Sequence, residues 1–219
     1  MTEIREYHLK PTKLIPNSPQ PLVHYRNLIP QEDERRPEVL HERFAKNGWN
    51  TQWIFRYGST QPSHYHSDIH ECMAVMTGTA TIRFGVADTD PDMNKNTFGD
   101  ATEAGGVEIH AKAGDAFLIP AGVSHKTHKT LPEAPFALLT PGEGRGIVSD
   151  DQHAALAKIE LDGFTMIGAY PKDCGSWDFN VGGEHEGDFG RVWQVSKPEK
   201  DPLLGDSDEG LVGLWKQVP

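Results

Sequence analysis

The chain has 219 residues, 37% of them apolar, which is enough for one domain with its own core. Its formal net charge of −11 argues against nucleic acid or an anionic membrane surface as the main partner. The sequence shows no secretory signal and no apolar run long enough to span a bilayer, and its two cysteines are too few for a disulfide scaffold. We therefore expect a cytoplasmic protein.

The N-terminal part, residues 1–48, is predicted to be a proline-rich arm followed by a short helix. The arm contains LIPNSPQPL, which is typical of extended chain rather than of a helix. The stretch RRPEVLHERFAKNG predicts the helix, because Pro37 suits a first helical turn and Leu40 and Phe44 share one face.

From Trp49 onward, short β-type runs alternate with turns rich in Gly, Pro and Asp. The runs are WNTQWIFRYG, ECMAVMTG, TATIRFGV, GVEIHAKAG, DAFLIP and APFALLTPG. Their spacing predicts an antiparallel sandwich or barrel over residues 49–146. A polar insertion between Val86 and Val107 interrupts the runs. It is predicted to be a mobile loop, either a lid over the site or a surface excursion.

The C-terminal part, residues 147–219, is predicted to pack on the barrel as a helix and a loop-rich tail, so that the chain forms one domain overall. The stretch SDDQHAALAKIEL predicts the helix, with Ser149 or Asp150 as its N-cap.

The stretch GSTQPSHYHSDIHECMAVMTG, Gly58–Gly78, concentrates groups that can bind a metal ion. His64 and His66 are two residues apart, so on a strand their rings point to the same face. Glu71 begins the next strand, and a second cluster downstream, GDAFLIPAGVSHKTH, contributes His125. Three neutral imidazoles and one carboxylate suit one divalent transition metal, Fe, Mn, Zn, Ni or Co.

His70 is an alternative to Glu71 as the fourth ligand, because it follows His66 after three residues where Glu71 follows after four. The stretch resembles the first motif of the cupin family, and the spacing of that motif implies Glu71 as the ligand, because Gly78 follows it after six further residues. His70 is then expected either to donate a hydrogen bond to one of the metal ligands or to lie on the surface.

Alternation along the strands places other side chains relative to the ligands. Met73 and Val75 share parity with Glu71 and are expected to wall an inner pocket. Lys126 and His128 alternate away from His125 and are expected to face outward, and Cys72 is expected to be a packed thiol.

Two further groups of residues have open roles. An aromatic series ahead of Gly58 is expected in the core, with the pocket mouth as the alternative: Trp53, Phe55 and Tyr57. Three arginines are candidates for binding an anionic ligand, and the sequence does not distinguish between them: Arg56, Arg83 and Arg145.

The two clusters resemble the paired motifs of the cupin family. The first matches with the spacing Gly58, five residues, His64, one, His66, four, Glu71, six, Gly78. The second matches through Gly114, five residues, Pro120, one, Gly122, two, His125. It then departs, because Lys129 stands where the family usually has Asn.

The resemblance implies an all-β fold, the cupin double-stranded β-helix or jelly-roll barrel, with a few peripheral α-helices. It implies His64, His66, Glu71 and His125 as the metal ligands, and, as is common in the family, a homodimer. The segments HYHS, GDAFLIPAGVSHK, IGAYPKD and LVGLW look more closely like the YjlB-like cupins, a resemblance that covers most of residues 48–216.

Three classes of function follow for such a site. The first, slightly favoured, is a dioxygenase-like oxidoreductase acting on a small oxygen-rich molecule that chelates the metal. The second is a redox-neutral isomerase, epimerase or lyase acting on a sugar or oxoacid. The third is a non-catalytic metal-binding or small-molecule-binding cupin.

Overall fold

The computed structural model describes residues 3–172 and 175–217, and within these ranges ten strands form two antiparallel sheets. The strands are β1 Glu3–Tyr7, β2 Leu22–Arg26, β3 Trp49–Tyr57, β4 Glu71–Thr77, β5 Thr79–Phe84, β6 Val107–Lys112, β7 Ala116–Ile119, β8 His125–Leu131, β9 Ala137–Leu138 and β10 Phe164–Pro171. The larger sheet has the order β1-β2-β7-β4-β10-β3-β9 and the smaller β6-β5-β8. The two sheets form the predicted cupin jelly roll.

Strands from both ends of the chain complete the larger sheet. β2 pairs with β7, and β10 lies between β4 and β3. The predicted arm thus contributes two strands, β1 and β2, and the predicted tail contributes the long strand β10. The sheet therefore draws on more of the chain than residues 49–146, while the division of the chain at residues 48 and 146 stays a prediction.

The core lies on both faces of the larger sheet. On the inner face, Met73 and Val75 pack with Phe84 of the smaller sheet. On the outer face, Cys72 packs in a cluster with Phe44 of the first helix, and it is a buried free thiol as expected. Since apolar side chains are removed from water on both faces, β4 and β10 are buried along almost their whole length.

The described helices are short and peripheral. They are α1 Pro37–Lys46, α2 Met93–Phe98, α3 Gln152–Leu156, α4 Phe189–Val192 and α5 Leu211–Leu214. α1 begins at Pro37 as predicted. The predicted cap of α3 is wrong: Asp151, not Ser149 or Asp150, accepts the N–H of Ala154 at 2.8 Å. No helix in residues 3–172 or 175–217 is both long and apolar enough to cross a membrane.

Hydrogen bonds connect the polar insertion to the barrel. Lys126 Nζ lies 2.9 Å from Asp88 Oδ1, and Arg83 donates to the carbonyl of Asn96 at 2.7 Å. Lys126 and His128 point away from the barrel interior as predicted, and both are nevertheless fully buried. Alternation fixes the face of a strand residue but not what covers that face.

Candidate metal centre

The structure brings the four predicted ligands together at one end of the barrel interior. His64 and His66 lie in the segment before β4, Glu71 is the first residue of β4, and His125 is the first residue of β8. His64 and His125 form a backbone bridge, with N–H to O distances of 3.2 and 2.8 Å. Each of the three histidines offers a ring nitrogen, and these nitrogens lie within 4.8 Å of one another.

The carboxylate of Glu71 lies beside two of these rings. Its Oε2 is 3.2 Å from His125 Nε2 and 3.7 Å from His66 Nε2. Its Oε1 accepts the hydroxyl proton of Tyr170 at 2.6 Å. Although Oε2 is buried, it accepts no hydrogen bond from the described residues. An unpaired carboxylate oxygen in this position is costly unless a cation or a donor satisfies it.

Hydrogen bonds to the backbone fix the tautomers of two rings. His66 donates from Nδ1 to the carbonyl of Asp178, and His64 Nδ1 lies 3.3 Å from the carbonyl of Pro62. A carbonyl can only accept, so in the neutral His66 ring Nδ1 carries the proton and Nε2 carries a lone pair. The nearby Tyr170 hydroxyl cannot satisfy that lone pair, because its one proton is directed to Glu71.

Two kinds of electron-rich atom therefore converge without a donor between them: Nε2 of His66 and Oε2 of Glu71. Such a convergence is repulsive by itself and favourable around a cation. The donor types, imidazole nitrogen and carboxylate oxygen, suit divalent first-row transition metals. The residues present thus fit a divalent metal ion.

Burial favours the protonation states that metal binding needs. Desolvation, together with the neighbouring His66 ring, lowers the pKa of His64 to about 3. Desolvation, together with the His64 and His66 rings, lowers the pKa of His125 well below 6.5. Both rings are consequently neutral near pH 7, as metal-binding imidazoles must be.

His70 has a different role. Its Nδ1 accepts the N–H of Ala121 at 2.9 Å, and its Nε2 lies 3.2 Å from the carbonyl of Ser196, to which it donates. The ring also packs against Trp215, with centroids 4.7 Å apart. Both nitrogens are occupied and the residue is buried, so His70 is neither a surface residue nor positioned as a ligand. It ties the C-terminal tail to the barrel.

The four predicted ligands form the floor of a cavity of about 280 Å³. Its walls are mostly aromatic: Trp53, Phe55, Tyr57, Phe136, Tyr170, Trp177 and Phe179. The series before Gly58 thus lines the cavity, while Trp53 and Tyr57 also belong to the buried core cluster, so both alternatives hold. Met73 and Val75 do not line it, because they pack deeper between the sheets, and no described residue of the insertion does so either.

Sequence reasoning missed the contributions of the C-terminal part. Tyr170, at the end of β10, bonds to Glu71 across 99 residues, and Asp178 bonds to His66 across 112. The carboxylate of Asp178 also accepts the N–H of Ser67 at 2.9 Å. The available signal was the apolar run FTMIGAYP, which is typical of a buried strand and has a tyrosine as its penultimate residue.

Comparison with known proteins gives one relative of full length. No protein-family profile matches the chain. The YjlB protein of Bacillus subtilis (strain 168) is 29% identical over 218 residues, which cover 97% of each chain.

Solved structures give weaker likenesses. The dTDP-4-dehydrorhamnose 3,5-epimerase of Elizabethkingia anophelis NUHP1 is 10% identical with a TM-score of 0.34, covering 92% of this chain and 84% of that one. An oxalate decarboxylase of Lactobacillus farciminis is 10% identical with a TM-score of 0.30, covering 59% of this chain. The chain spans 27% of that enzyme's length. At these values the likenesses carry no information about the reaction of this chain.

The motif spacings, the two-sheet jelly roll and the full-length similarity to YjlB agree with one another. The chain thus has the jelly-roll fold and both motif spacings of the cupins, and it is similar over its full length to YjlB.

Proposed function

We propose that the chain is a metal-dependent enzyme that acts on a small, oxygen-rich molecule at the floor of this cavity. His64, His66, His125 and Glu71 hold the metal. The observation that carries the proposal is the buried Oε2 of Glu71, which faces the imidazole nitrogens of His66 and His125 without a hydrogen-bond donor.

A bound divalent metal supplies Lewis acidity and, if it is redox-active, the capacity to use O₂. His64, His66, His125 and Glu71 would supply four donors, and a metal held by them would bind oxygens of the substrate at its remaining positions. Keto acids, hydroxy acids, enediols and catechols all offer a pair of such oxygens. The aromatic walls exclude water from the substrate's body, and Tyr170 holds Glu71 in place through its hydroxyl.

A dioxygenase-like reaction is our first candidate, because the walls offer few groups that can act as a base. Besides the four predicted ligands, the titratable side chains among the described lining residues are Tyr57, Tyr170, Glu143 and Arg145. Burial raises the pKa of both tyrosines well above 10, so they keep their protons near pH 7. Glu143 lies at the exposed rim. Abstraction of a proton from carbon needs a base near the reacting atom, which disfavours a redox-neutral reaction.

One observation favours the redox-neutral isomerase or lyase as the second candidate. The hydroxyl of Tyr170 lines the floor and keeps its proton near pH 7, and it can donate that proton to a substrate oxygen once its hydrogen bond to Glu71 is released. A non-catalytic binding protein remains the third candidate.

Metal analysis of protein purified from its own host, followed by substrate panels with and without O₂, tests the proposal. We expect iron or another redox-active metal, and O₂ consumption with at least one chelating substrate. Turnover that persists without O₂ and with Zn would support the second candidate. A Co-substituted protein whose absorption spectrum is unchanged by every chelating acid, diol or sugar would contradict an enzymatic role.

A further inference from the structure

Arg145 is the cationic side chain that the structure places at the mouth of the cavity. Its guanidinium carbon lies 4.2 Å from the centre of the Trp177 ring. The other two candidate arginines are engaged elsewhere: Arg56 with Asp162 at 2.8 Å and Arg83 with Glu108 at 2.8 Å. Arg145 forms no ion pair with any described carboxylate, so its hydrogen-bond donors are available to a ligand.

The Trp177 ring connects Arg145 to the predicted metal ligands. One neighbour of the ring is the Arg145 guanidinium, and another is the His66 ring, with centroids 5.7 Å apart. A guanidinium stacked on an aromatic face keeps its planar set of donors while losing freedom of orientation. Arg145 is therefore held beside the cavity that leads to His66.

The walls indicate what lies between the mouth and the floor. Phe55 and Phe136 stack with centroids 5.1 Å apart, and Trp177 and Phe179 lie 6.3 Å apart. Gln61 is the wall's amide side chain, and hydroxyl-rich molecules would find few partners there. Leaving substrate hydroxyls unpaired is costly, so these walls favour a flat, apolar body over a sugar.

We infer that the site takes an aromatic acid, whose two neighbouring oxygens face the floor, whose ring lies against the aromatic walls, and whose carboxylate pairs with Arg145. This inference rests on the proposed function, since it assumes that the floor holds a metal to which the two oxygens bind. Arg145 then determines specificity, because a planar guanidinium and a carboxylate form a charge-assisted, bidentate pair.

Glu143 provides a control of opposite sign. It also lines the mouth and carries a negative charge, which opposes an incoming anion. Removing that charge should strengthen binding of an acid about two- to threefold, whereas removing the charge of Arg145 should weaken it. A loss of affinity in Glu143→Gln would contradict this arrangement.

The test compares two probes that differ by one carboxylate: 3,4-dihydroxybenzoate and catechol. Each probe is titrated into Zn-loaded full-length protein, and tryptophan fluorescence reports binding because Trp53 and Trp177 line the cavity. We expect 3,4-dihydroxybenzoate to bind about tenfold more tightly than catechol at low salt. This ratio of the two affinities should fall as the salt concentration rises. In Arg145→Gln the ratio should fall to about twofold or less while catechol affinity is unchanged.

Two controls complete the comparison. Arg191→Gln removes the same charge from an exposed position outside the cavity and should keep the tenfold ratio. Glycerate, which has chelating oxygens and a carboxylate but no ring, should bind at least about tenfold more weakly than 3,4-dihydroxybenzoate. Equal affinity of glycerate would overturn the aromatic class.

Co-substituted protein separates failure of this inference from failure of the proposed function. Suppose that both probes shift the Co spectrum. If their affinities are then equal, or if the tenfold difference persists in Arg145→Gln, the inference is wrong and the metal-chelating site stands. If neither probe shifts the spectrum or binds, the chelating site is wrong and the inference falls with it.

Discussion

The floor and the mouth of the cavity differ in burial, chemistry and support. At the floor, Glu71 is 1% and His66 5% exposed, and both are held by hydrogen bonds. At the mouth, Phe136 is 55% and Phe179 47% exposed, and both belong to connecting segments rather than to strands. A buried, preorganised floor fixes the chemistry, whereas a mouth built on loops can change its ligand without disturbing the fold.

The two regions should therefore respond differently to substitution. Glu71 begins β4, which lies between β7 and β10 in the middle of the larger sheet. Arg145 lies between β9 and α3, where the chain is exposed. Changes at the floor should affect metal binding, and changes at the mouth should affect the choice and affinity of the ligand while leaving metal binding unchanged.

The largest expected effect is the loss of metal from His64→Ala and from His125→Ala. Each substitution removes one imidazole from the set of three whose nitrogens converge. Metal content measured by mass spectrometry after gel filtration should fall from one ion per chain to nearly none. His153→Ala, at an exposed position on α3, is the control and should retain its metal. Full metal content in both floor variants would refute the assignment of the ligands.

Glu71→Gln and His70→Ala should separate two adjacent residues. Glu71→Gln removes the negative charge that faces His66 and His125, and should weaken metal binding more than about tenfold. His70→Ala should leave metal affinity within about threefold of the wild type. It should lower the free energy of unfolding by about 1–3 kcal/mol, because the Ala121 N–H and the Ser196 carbonyl lose their partner. Competition titrations and denaturant unfolding measure the two quantities, and the reverse ranking for metal would make His70 the ligand.

Removal of the metal should destabilise the protein through linkage. Metal at a hundredfold excess over its dissociation constant stabilises the folded state by about 2.7 kcal/mol. A chelator should therefore lower the Tm of the wild type by several degrees. Arg145→Gln should show the same shift, since Arg145 lies at the mouth, while His64→Ala should show none. A chelator shift lost in Arg145→Gln would mean that mouth and floor are not separable.

The smallest effect is expected at the rim. Phe136→Ala removes a half-exposed ring that stacks on Phe55, and should lower the free energy of unfolding by less than about 1 kcal/mol. Metal content should not change, while binding of an aromatic ligand should weaken a few-fold. Thermal unfolding, metal analysis and fluorescence titration check the three statements. A loss of metal in Phe136→Ala would show that a rim residue supports the metal site, which would contradict the separation of mouth and floor.

The same contrast governs what the sequence could predict. The floor was predictable because His64, His66 and Glu71 lie within eight residues of one another, and alternation on a strand orients the two histidines. The mouth was not, because Trp177 and Phe179 reach the cavity only through tertiary contacts with residues more than a hundred positions away. No local pattern encodes such contacts.

The missed strand β10 has a related cause. All eight of its residues are buried, since the larger sheet is covered on both faces, so the alternation that marks a half-exposed strand is absent. Lys126 shows a second limit of prediction from sequence: a strand face can be predicted while the segment that covers it cannot. Its position on β8 predicted the correct face, but the chain that covers that face comes from the insertion through Asp88.

X-ray absorption at the metal edge, on protein purified from its own host, tests the central claim most directly. A metal held by His64, His66, His125 and Glu71 should show scattering from three imidazole rings and from oxygen donors, and Glu71→Gln should alter the oxygen shell without removing imidazoles. A spectrum dominated by sulfur, or a closed four-coordinate site that no chelating ligand changes, would contradict it.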